Sequence, residues 1–391
     1  MRCVKAFEKT YKRVPDGVSF CPYRVCPIGA HVDHQHGRIT GFAIDKGIHI
    51  AYGIKRNGVI EVQSLQFDKR AQFHVNAVPA EKENDWADYL RGGVWALSQK
   101  YKLSVGLCCI IDGSLPIGGL SSSATVVISF LSALCAANGI TLSQSELINV
   151  ALKAENEYVG VSCGKLDQSC EVYSKKGHLL YLDTLDDSYE VISMNKKMKP
   201  FEIAIFFSGI ERNLAGSQYN VRVDECRSAA YALKSYEGLP YGKFEQAYLR
   251  DVPKEVFEKH KDKLPISWRL RAEHYYAEND RVIKGVEAWR NGDIKEFGKL
   301  CFESGKSSIE KWQTGSEEFV ELYDIMTRTD GIYGGRFSGA GFKGCCMALI
   351  DPSFKESIKE KVTEEYLKKF PQLKDRFSIH FCHGAEGVKL I

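Results

Sequence analysis

The chain has 391 residues, of which 44% are hydrophobic and 26% are charged. This length and mixture are typical of a globular protein with two or more domains, and they exclude a disordered chain. Lys and Arg number 53 against 50 Asp and Glu, which leaves a net charge of +3. Such a balance gives no sign of a basic surface for nucleic acid or anionic membranes, so we expect neither as a partner.

The cysteines and the N-terminal residues indicate the compartment. Thirteen cysteines are present and no two are spaced as Cys-X-X-Cys, so we predict buried, reduced thiols and neither a disulfide framework nor a structural zinc site. Residues 1–14 carry charges throughout, unlike a secretion signal. The longest nearly apolar run, residues 124–137, is too short to span a bilayer. These features predict a cytoplasmic protein, which we expect to be an enzyme.

The spacing of apolar residues predicts strands and helices in mixed order. Residues 48–53 and 59–64 are predicted strands, and Asn57-Gly58 between them predicts a hairpin. In the predicted helix over residues 86–99, Trp86 and Tyr89 belong to a set of apolar residues at helical spacing. Further predicted helices begin at Ser123 and cover residues 217–236, 269–289, 316–328 and 353–370, and further predicted strands cover residues 106–111, 179–183, 203–208, 345–350 and 377–381.

This mixed order of strands and helices predicts the α+β class. Lys196, Lys197, Lys199 and Pro200 interrupt the periodic pattern, which places a domain boundary near this point. We therefore predict an N-terminal domain over residues 1–195 and a C-terminal domain over residues 196–391.

Residues 116–124, Pro-Ile-Gly-Gly-Leu-Ser-Ser-Ser-Ala, lie between a predicted strand and a predicted apolar helix. Gly118 and Gly119 let the backbone approach a ligand closely, and a helix start offers unpaired N–H groups to a phosphate. The three serine hydroxyls can bond phosphate oxygens or reach a bound Mg²⁺. A serine-capped helix after a tight turn is the alternative, but the glycine pair and the serine triplet together favour a phosphate-binding loop.

Residues 22–37 place one Arg, one Asp and three His within thirteen positions. A zinc site formed by His31, Asp33, His34 and His36 is conceivable, although the spacing matches no common ligand set. The mixture of hydrogen-bond donors and acceptors fits a polar pocket for a sugar or another substrate better.

Residues 334–344 contain five glycines and run into a predicted strand. Such a segment can form a second backbone loop against a ligand or a neighbouring domain, or serve merely as a tight connection. Residues 305–307, Gly-Lys-Ser, are not a Walker A loop, because Leu300 stands where the first glycine is needed.

Taken in chain order, these segments resemble the three motifs of the GHMP kinases, and among them those of the galactokinases. Residues 24–34 follow the first galactokinase motif, Gly-Arg-Val-Asn-Leu-Ile-Gly-Glu-His-Thr-Asp-Tyr. Residues 116–124 match the family's phosphate loop with one residue fewer, and residues 336–345 match its glycine-rich third motif with two glycines replaced. Residues 163–168 and 217–222 resemble the family motifs Cys-Gly-x-x-Asp-Gln and Ser-x-Tyr-x-x-Arg.

One departure within the first motif bears on the substrate. Galactokinases carry Glu where this chain has Ala30, and that Glu accepts a hydrogen bond from the C6 hydroxyl of the sugar. Residues 26–35 and 336–346 are instead similar to the plant galacturonokinases. The resemblance therefore implies a galacturonic acid 1-kinase, with galactokinase as the alternative and arabinokinase as a further one. Ala30 supplies no partner for a C6 carboxylate, for which His31, Tyr219 and Lys343 are candidates, and it could also be a small residue in a packed turn.

The resemblance implies two α+β domains with the active site in the cleft between them. It also implies transfer of the γ-phosphoryl group of ATP, with Mg²⁺, to the anomeric O1 of a sugar. Asp167 is then the base near O1 with Arg24 beside it, unless the two form a plain ion pair. Ser123 is expected to face Mg²⁺ with help from Glu155, unless Glu155 is an ordinary exposed helical residue. The resemblance places Ala30, His31, Asp33, Gly164 and Tyr219 at the sugar, and Gly118, Gly119, Leu120, Ser121, Ser122, Ser123, Ala124 and Trp86 at the nucleotide, with a core position as the alternative for Trp86.

A sugar-sensing regulator without turnover is the alternative outside the enzymes, since some relatives of galactokinases have lost part of the Ser-Ser-Ala run. Ser122, Ser123, Ala124, Arg24 and Asp167 are all present here, which favours a kinase. As partners we expect only ATP and the sugar or uronic acid, and as assembly a monomer or a weak homodimer.

Overall fold

The computed structural model of the chain describes residues 1–210, 215–342 and 344–391, with the side chains of all of these except residues 215–217. Its strands form two sheets. The strands of the first sheet are β1 (Gly17–Val25), β2 (Arg38–Lys55), β3 (Val59–Ser64), β4 (Ala71–His74), β5 (Gly106–Gly113), β6 (His178–Asp183), β7 (Ser188–Ser193) and β12 (Lys389–Leu390). The strands of the second sheet are β8 (Glu202–Phe207), β9 (Ile332–Phe337), β10 (Cys345–Ile350) and β11 (Ser378–Cys382).

Helices cover the two sheets. In chain order they are α1 (Arg2–Tyr11), α2 (Asp88–Ser98), α3 (Ser122–Ala137), α4 (Gln144–Lys153), α5 (Leu166–Tyr173), α6 (Ala215–Glu237), α7 (Lys254–His260), α8 (Ile266–Asn291), α9 (Ile294–Glu310), α10 (Glu317–Thr327) and α11 (Lys355–Lys369). Within the described ranges, none of these helices combines the length and the apolar character that crossing a membrane requires.

The first sheet shows that the predicted hairpin at Asn57-Gly58 is wrong. Its strand order is β12-β1-β2-β5-β3-β4, with β6 paired to the first residues of β2 and β7 paired to β6. The chain does turn at Gly58, whose N–H donates to the carbonyl of Lys55. However, β5 pairs antiparallel with β2 and parallel with β3, so it lies between them. Since β5 is buried along nearly its whole length, it is stabilised as a central strand with a partner on each side.

The other predicted elements are confirmed. Most of their boundaries differ by a few residues, but the strand predicted over residues 48–53 is only the last part of β2, which begins at Arg38. The apolar helix predicted from Ser123 is α3, which packs against β1 and β2 and is buried on most sides. Residues 305–307 lie inside α9, in keeping with their rejection as a phosphate loop. All thirteen cysteines carry free thiols, and all except the half-buried Cys163 are buried.

The second sheet is a buried layer. Along β10, alternate residues point to opposite faces, as in any strand. Cys345, Met347 and Leu349 join the core shared with the first sheet, whereas Cys346 and Ala348 join the core under α10 and α11. The second sheet is thus covered on both faces, and one of its faces is continuous with the core of the first sheet.

The last residues of the chain return to the first sheet. Leu390 pairs with Ser19 of β1, although β11 just before it belongs to the second sheet. The strands of the two sheets separate along the chain between Ser193 and Glu202. The domain boundary at residue 195 therefore stays a prediction. The last residues of the chain do not follow it, because they pair with the first sheet.

The pairing of β1 with β2 is irregular at the start of the first motif, where β2 carries two extra residues. Pro22 has no N–H to donate to β2, and the register of the β1–β2 pair shifts between Pro22 and Arg24. Bulges bend a strand and change where its next side chains stand. This irregularity of β2 lies opposite the residues just before Arg24, the residue that the resemblance places beside the base.

Candidate active site

Two cavities adjoin at the N-terminal end of α3. The first has a volume of about 350 Å³ and the carboxyl groups of Asp33 and Asp167 in its wall, and we call it the acidic cavity. The second has a volume of about 280 Å³ and is lined by Trp86 and other aromatic side chains, and we call it the aromatic cavity. Tyr89 and Ser123 line both cavities. The start of α3 therefore lies at the wall between two compartments.

The charged pair of the acidic cavity is Arg24 and Asp167. Arg24 Nε donates to Asp167 Oδ1 over 2.7 Å, and Arg24 Nη1 donates to the carbonyl oxygen of Gly119 over 3.3 Å. The side chain of Arg24 is 4% exposed and that of Asp167 is 26% exposed, so the guanidinium is enclosed while the carboxylate is open to the cavity. Burial alone would lower the pKa of Arg24, but the charge and hydrogen bond of Asp167 outweigh it and the pKa is raised.

Asp33 binds the start of the helix that carries Asp167. Its Oδ2 accepts a hydrogen bond from the backbone N–H of Leu166 over 3.1 Å, as a capping carboxylate does. Gly164 makes room for it, because a Cβ added at Gly164 would lie 2.5 Å from Asp33 Oδ2. Burial and then the charge of Asp167 raise the pKa of Asp33 to about 6. Asp33 therefore holds α5 in place in addition to lining the acidic cavity.

Glu155 is buried, so the alternative of an exposed helical residue is wrong. It lies in the π-helical turn Ala154–Val159 and is 4% exposed. Its Oε2 accepts a hydrogen bond from Gln168 Nε2 over 2.5 Å. Burial and then the charge of Asp167 raise the pKa of Glu155 to about 7, against the opposing hydrogen bonds from Ser123 and Gln168. The Glu155 carboxyl is therefore hydrogen-bonded to Gln168 on α5 and lies near Ser123.

The predicted phosphate loop is a left-handed turn that leads into α3. Gly118, Gly119 and Ser121 have φ values of 125°, 82° and 57°, and the helix begins at Ser122. The hydroxyl of Ser121 is buried and has no hydrogen-bond partner among the described residues. A helix start also leaves its first N–H groups unpaired. This arrangement of donors suits a phosphate group.

The remaining predicted nucleotide residues divide between a cavity wall and the core. Ser122 and Ser123 line the aromatic cavity, as Gly118 does. Leu120 and Ala124 are buried in the core beneath the loop, with 1% and 0% exposure. The side chains of Ser122 and Ser123 can therefore contact a nucleotide, whereas Leu120 and Ala124 anchor the loop by packing.

Trp86 lines the aromatic cavity and also packs against the edge of the core. Its ring is half-buried and stacks on Phe67, with the centroids 5.7 Å apart and the planes inclined by 8°. Its Nε1 donates to the carbonyl oxygen of Lys69 over 3.2 Å, which fixes the ring plane. Such a flat aromatic surface beside the phosphate loop suits a planar base.

The glycine-rich third segment packs against the phosphate loop. A Cβ added at Gly344 would lie 2.6 Å from the carbonyl oxygen of Gly118, and one added at Gly119 would lie 2.7 Å from Cys345 Sγ. Gly339 approaches Gly119 in the same way, and it also lines the acidic cavity. The glycines therefore serve a close contact between two backbones, which explains why the segment is more than a tight connection.

His31 presents a neutral ring to the acidic cavity. The ring stacks on Trp312 with centroids 5.0 Å apart, and Nε2 lies 3.1 Å from the carbonyl oxygen of Gly339. Because a carbonyl only accepts, Nε2 carries the hydrogen. Burial, followed by the charge of Arg336, lowers the pKa of His31 well below its ordinary value. Nδ1 is buried without a partner among the described residues, so it is an acceptor that no described group satisfies.

Ala30 and Tyr219 also line the acidic cavity. Ala30 is 5% exposed, and its carbonyl oxygen accepts a hydrogen bond from His274 Nε2 over 3.0 Å. Tyr219 on α6 is half-buried, and its ring meets the ring of His31 edge-on at 6.5 Å between centroids. Lys343, the other residue considered for a C6 carboxylate, lies outside the described residues.

The zinc alternative in the first motif receives no support. Residues 1–210, 215–342 and 344–391 contain no group of three or more His, Cys, Asp or Glu side chains placed to hold a metal ion. His34 is buried, and burial followed by the charge of Arg227 lowers its pKa to about 3. His36 stacks on Tyr248 with the ring centroids 3.8 Å apart. The histidines of this segment therefore make separate contacts.

Mg²⁺ needs fewer protein ligands, because it keeps several waters and is bound by one or two side-chain oxygens together with substrate phosphates. Ser123 supplies a hydroxyl at the wall between the cavities, and Glu155 is a buried carboxyl group near it. These two oxygen donors beside the phosphate loop fit a magnesium ion bound to a nucleotide.

A buried ion pair joins the first and third motifs. Arg336 Nη1 lies 3.5 Å from Glu278 Oε1, and both side chains are fully buried. Glu278 Oε1 also accepts a hydrogen bond from the backbone N–H of Gly29 over 2.7 Å, and the Ser304 hydroxyl donates to it. Burial would raise the pKa of Glu278, but neighbouring basic groups, Arg281 first, lower it to about 2. Arg336 therefore supports the loop that carries Ala30 and His31 and does not reach a cavity.

Three residues at or beside the site belong to none of the sequence motifs, so the motifs did not single them out. Tyr89 is one of several apolar residues at helical spacing, yet its ring lines both cavities. Its only sequence signal is its position three residues after Trp86, on the same helix face. Glu171 and Glu278 lie inside helices with nothing in the surrounding sequence to mark them as buried.

Comparison with known proteins agrees with this geometry. Residues 5–54 match the galactokinase galactose-binding signature, residues 88–175 the N-terminal domain of GHMP kinases, and residues 284–368 the C-terminal domain of GHMP kinases. A galacturonokinase from Arabidopsis thaliana is 37% identical over 96% of this chain and 93% of its own length. A galactokinase from Thermotoga neapolitana is 32% identical over 95% of this chain and 99% of its own length.

Solved structures show the same fold. The galactokinase of Lactococcus lactis, complexed with galactose, superposes with a TM-score of 0.90 at 24% identity, covering 99% of this chain and 98% of that one. The predictions of an α+β class and a two-domain architecture are thereby confirmed. Kinases of this kind use ATP as the phosphate donor. The chain is a sugar kinase that belongs to the galactokinase and galacturonokinase family of the GHMP kinases.

Proposed function

We propose that the protein transfers the γ-phosphoryl group of ATP to the anomeric O1 of D-galacturonic acid. The observation that carries this proposal is the acidic cavity, whose wall holds Ala30 where galactokinases hold Glu, together with the Arg24–Asp167 pair. The relative with 37% identity is a galacturonokinase, which supports the same substrate. D-galactose is the alternative, which the match of residues 5–54 to a galactose-binding signature supports.

The two cavities take the two substrates. The uronic acid binds in the acidic cavity and the nucleotide in the aromatic cavity, with Ser123 at the wall between them. Ser123 and Glu155 would hold Mg²⁺, which would neutralise charge on the phosphates of ATP. Phosphoryl transfer needs positioning and charge stabilisation more than covalent chemistry, and both cavities open to the same hydroxyl-bearing helix start.

Asp167 orients the O1 hydroxyl and receives its proton. A carboxylate is a weak base toward a sugar hydroxyl, so the proton moves late and orientation is the larger contribution. Arg24 donates to Asp167 and to the Gly119 carbonyl at the same time. The base and the phosphate loop therefore keep a fixed relation to each other.

His31 and Asp33 recognise hydroxyl groups of the sugar ring. His31 Nδ1 is an unpaired acceptor among the described residues. Asp33 lines the same cavity, and its carboxyl group accepts a hydrogen bond from the Leu166 N–H. An epimer that lacks the matching hydroxyl would leave a buried acceptor unpaired. Such a loss weakens transition-state binding far more than a missing apolar contact does.

The C6 carboxylate needs a donor at its side of the cavity. His31 does not supply one, because its free nitrogen is an acceptor and its ring is neutral. The Tyr219 phenol can donate, and Tyr219 lines the cavity with Ala30. Of the described candidates we therefore assign the C6 carboxylate to Tyr219.

The test is a panel of sugars assayed for ADP release, with the Asp167→Asn variant as the blank. We expect ADP release with galacturonate that exceeds release with galactose or arabinose, and nuclear magnetic resonance of the product should show phosphate at the anomeric carbon. Preference for galactose would establish the alternative. Phosphate at any other carbon, or no turnover with any sugar, would refute the proposal.

A further inference from the structure

Thr125 lies between the phosphate loop and a buried carboxyl group. Its Oγ1 is 2.8 Å from the carbonyl oxygen of Ser121 and 2.7 Å from Glu171 Oε1. Thr125 is 0% exposed, and so is Glu171. The contact to Ser121 reaches the residue of the loop that has φ +57° and a buried, unpaired hydroxyl. Thr125 thus connects the phosphate loop to α5.

The number of hydrogens available to the two contacts of Thr125 Oγ1 indicates whether the Glu171 carboxyl group is protonated. The Ser121 carbonyl can only accept, so the single hydroxyl hydrogen of Thr125 points to it. The remaining contact, between Thr125 Oγ1 and Glu171 Oε1, then needs a hydrogen from the carboxyl group. If Glu171 were ionised, one of the two short oxygen–oxygen contacts would contain no hydrogen, and inside the protein this is unfavourable.

The other surroundings of Glu171 fit a neutral carboxyl group. Its Oε2 lies 3.7 Å from the thiol of Cys21, which can donate to it. Burial raises the pKa of Glu171 well above its ordinary value, and the charges of Asp167 and Glu155 raise it further. The charge of Arg24 opposes them, as would a hydrogen bond donated by Thr125, which the hydrogen count assigns to Ser121 instead. The geometry and the surrounding charges therefore agree.

Glu171 also stands in a fixed relation to the base. It lies four residues after Asp167 on α5, one helical turn away and on the same face. We propose that Glu171 is a positioning residue: it keeps a proton on Oε1 and, through Thr125, holds Ser121 and the phosphate loop in register with Asp167. This inference rests on the assignment of the loop to the nucleotide, which belongs to the proposed function, but it does not depend on which sugar is the substrate.

Paired substitutions separate a neutral donor from a charge. Glu171→Gln keeps an uncharged donor and an acceptor, whereas Glu171→Leu keeps neither. Thr125→Ser keeps the hydroxyl, whereas Thr125→Val removes it at nearly the same volume. Ser129→Ala is the matched control, because Ser129 lies one turn further along α3 and, among the described residues, its buried hydroxyl bonds only Ser19, at 2.8 Å. Affinity for ADP is measured by calorimetry, and KM for ATP and kcat by ADP release.

We expect Glu171→Gln and Thr125→Ser to stay within about twofold of the unmodified chain in ADP affinity and ATP KM. Glu171→Leu and Thr125→Val should each weaken ADP binding by about tenfold, the usual effect of one lost buried hydrogen bond. The double substitution should weaken it by about as much as either single one, because both remove the same connection. Ser129→Ala should lower the melting temperature and leave ADP affinity within about twofold.

Equal impairment in Glu171→Gln and Glu171→Leu would overturn the proposal, because a charge would then be what matters. If Ser129→Ala lost as much ADP affinity as Thr125→Val, the loss would come from lower stability of α3, and the proposal would be overturned. If Glu171→Leu fails to fold, the two Thr125 variants decide by the same criteria. A chain that binds ADP with this pattern yet phosphorylates no sugar refutes the proposed function alone, whereas normal ADP binding in Thr125→Val refutes this inference alone.

Discussion

The backbone of Gly344 lies against that of Gly118, and a Cβ added at Gly344 would come within 2.6 Å of the Gly118 carbonyl oxygen. Both glycines have positive φ, 101° and 125°. The phosphate loop therefore takes its shape partly from a segment more than two hundred residues later in the chain. Replacing either glycine should disturb both segments together.

Gly344→Ala tests this contact. We expect a loss of stability beyond the cost of a left-handed alanine, about 1 kcal/mol, together with weaker ADP binding. Gly139→Ala is the matched control, because Gly139 also has positive φ, 64°, but no atom of the described residues lies within 4 Å of its added Cβ. Melting temperature and ADP affinity are the measurements. Equal effects of the two substitutions would show that only backbone strain, and no contact between the loops, is involved.

Ser123→Ala tests the wall between the cavities. Loss of a hydrogen bond to a charged group costs about 1.5–3 kcal/mol, so we expect kcat to fall by about tenfold or more while the fold is kept. Ser132→Ala is the control, since Ser132 lies on the same helix and, within the part of the chain that the structure describes, donates only to the Ile128 carbonyl. Unchanged kcat in Ser123→Ala would remove this hydroxyl from the reaction. Gly119→Val would be a poorer probe, because its added Cβ would meet Cys345 Sγ at 2.7 Å.

Asp167→Asn tests the assigned base. The amide cannot take the O1 proton, and it leaves Arg24 without its charge partner. We expect kcat to fall by about 10²–10⁴-fold, the usual range for a lost general base, with sugar affinity largely kept. Asp187→Asn is the control. Asp187 is an exposed carboxylate paired with Lys165, the residue just before α5, and its substitution should leave kcat unchanged. Turnover near that of the unmodified chain in Asp167→Asn would reduce the Asp–Arg contact to a structural ion pair.

Asp33→Asn tests the electrostatics of the buried carboxyl group. Because the pKa of Asp33 is raised from 3.8 to about 6 in the fold, neutral Asp33 adds stability that is fully present below pH 3.8 and lost as the pH rises through 6. The variant lacks this dependence, so its stability relative to the unmodified chain should rise by up to about 3 kcal/mol between pH 4 and 7. Melting temperatures at several pH values measure it, with exposed Asp330→Asn as control. A difference that does not vary with pH would contradict the assignment.

The sequence predicted most of the elements because their apolar residues follow the helical or strand period over many positions. It failed at Asn57-Gly58, where a local turn signal predicts that two strands pair. The apolar strand β5 lies between β2 and β3 in the fold. Which strand takes the central position depends on how the strands compete for it across the whole sheet. Local turn chemistry contains no information about that competition.

The candidate site was predictable as far as its motifs reach. Arg24, Asp33 and Asp167 lie in recognisable segments, and the fold brings their side chains to one cavity. The burial of Glu155 depends on a π-helical turn, which the sequence does not mark. Glu171 owes its role to a residue on another helix, and such a partnership cannot be read from local spacing.

The substrate claim depends on charge at one position. A glutamate at position 30 would stand near the C6 carboxylate of a uronic acid, and at a dielectric of ~20 and a separation of ~4 Å the repulsion is about 4 kcal/mol, close to a thousandfold in affinity. Ala30→Glu should therefore move the preference toward galactose. Ala30→Gln, of nearly the same size but uncharged, should impair galacturonate less.

The most direct test is the ratio of kcat/KM for galacturonate to kcat/KM for galactose, measured on the unmodified chain and on these two variants under one set of conditions. We expect a ratio well above one for the unmodified chain, a fall of about a hundredfold or more in Ala30→Glu from the repulsion just given, and a smaller fall in Ala30→Gln. A ratio below one for the unmodified chain, or equal falls in the two variants, would contradict the assignment of galacturonate and the role of Ala30.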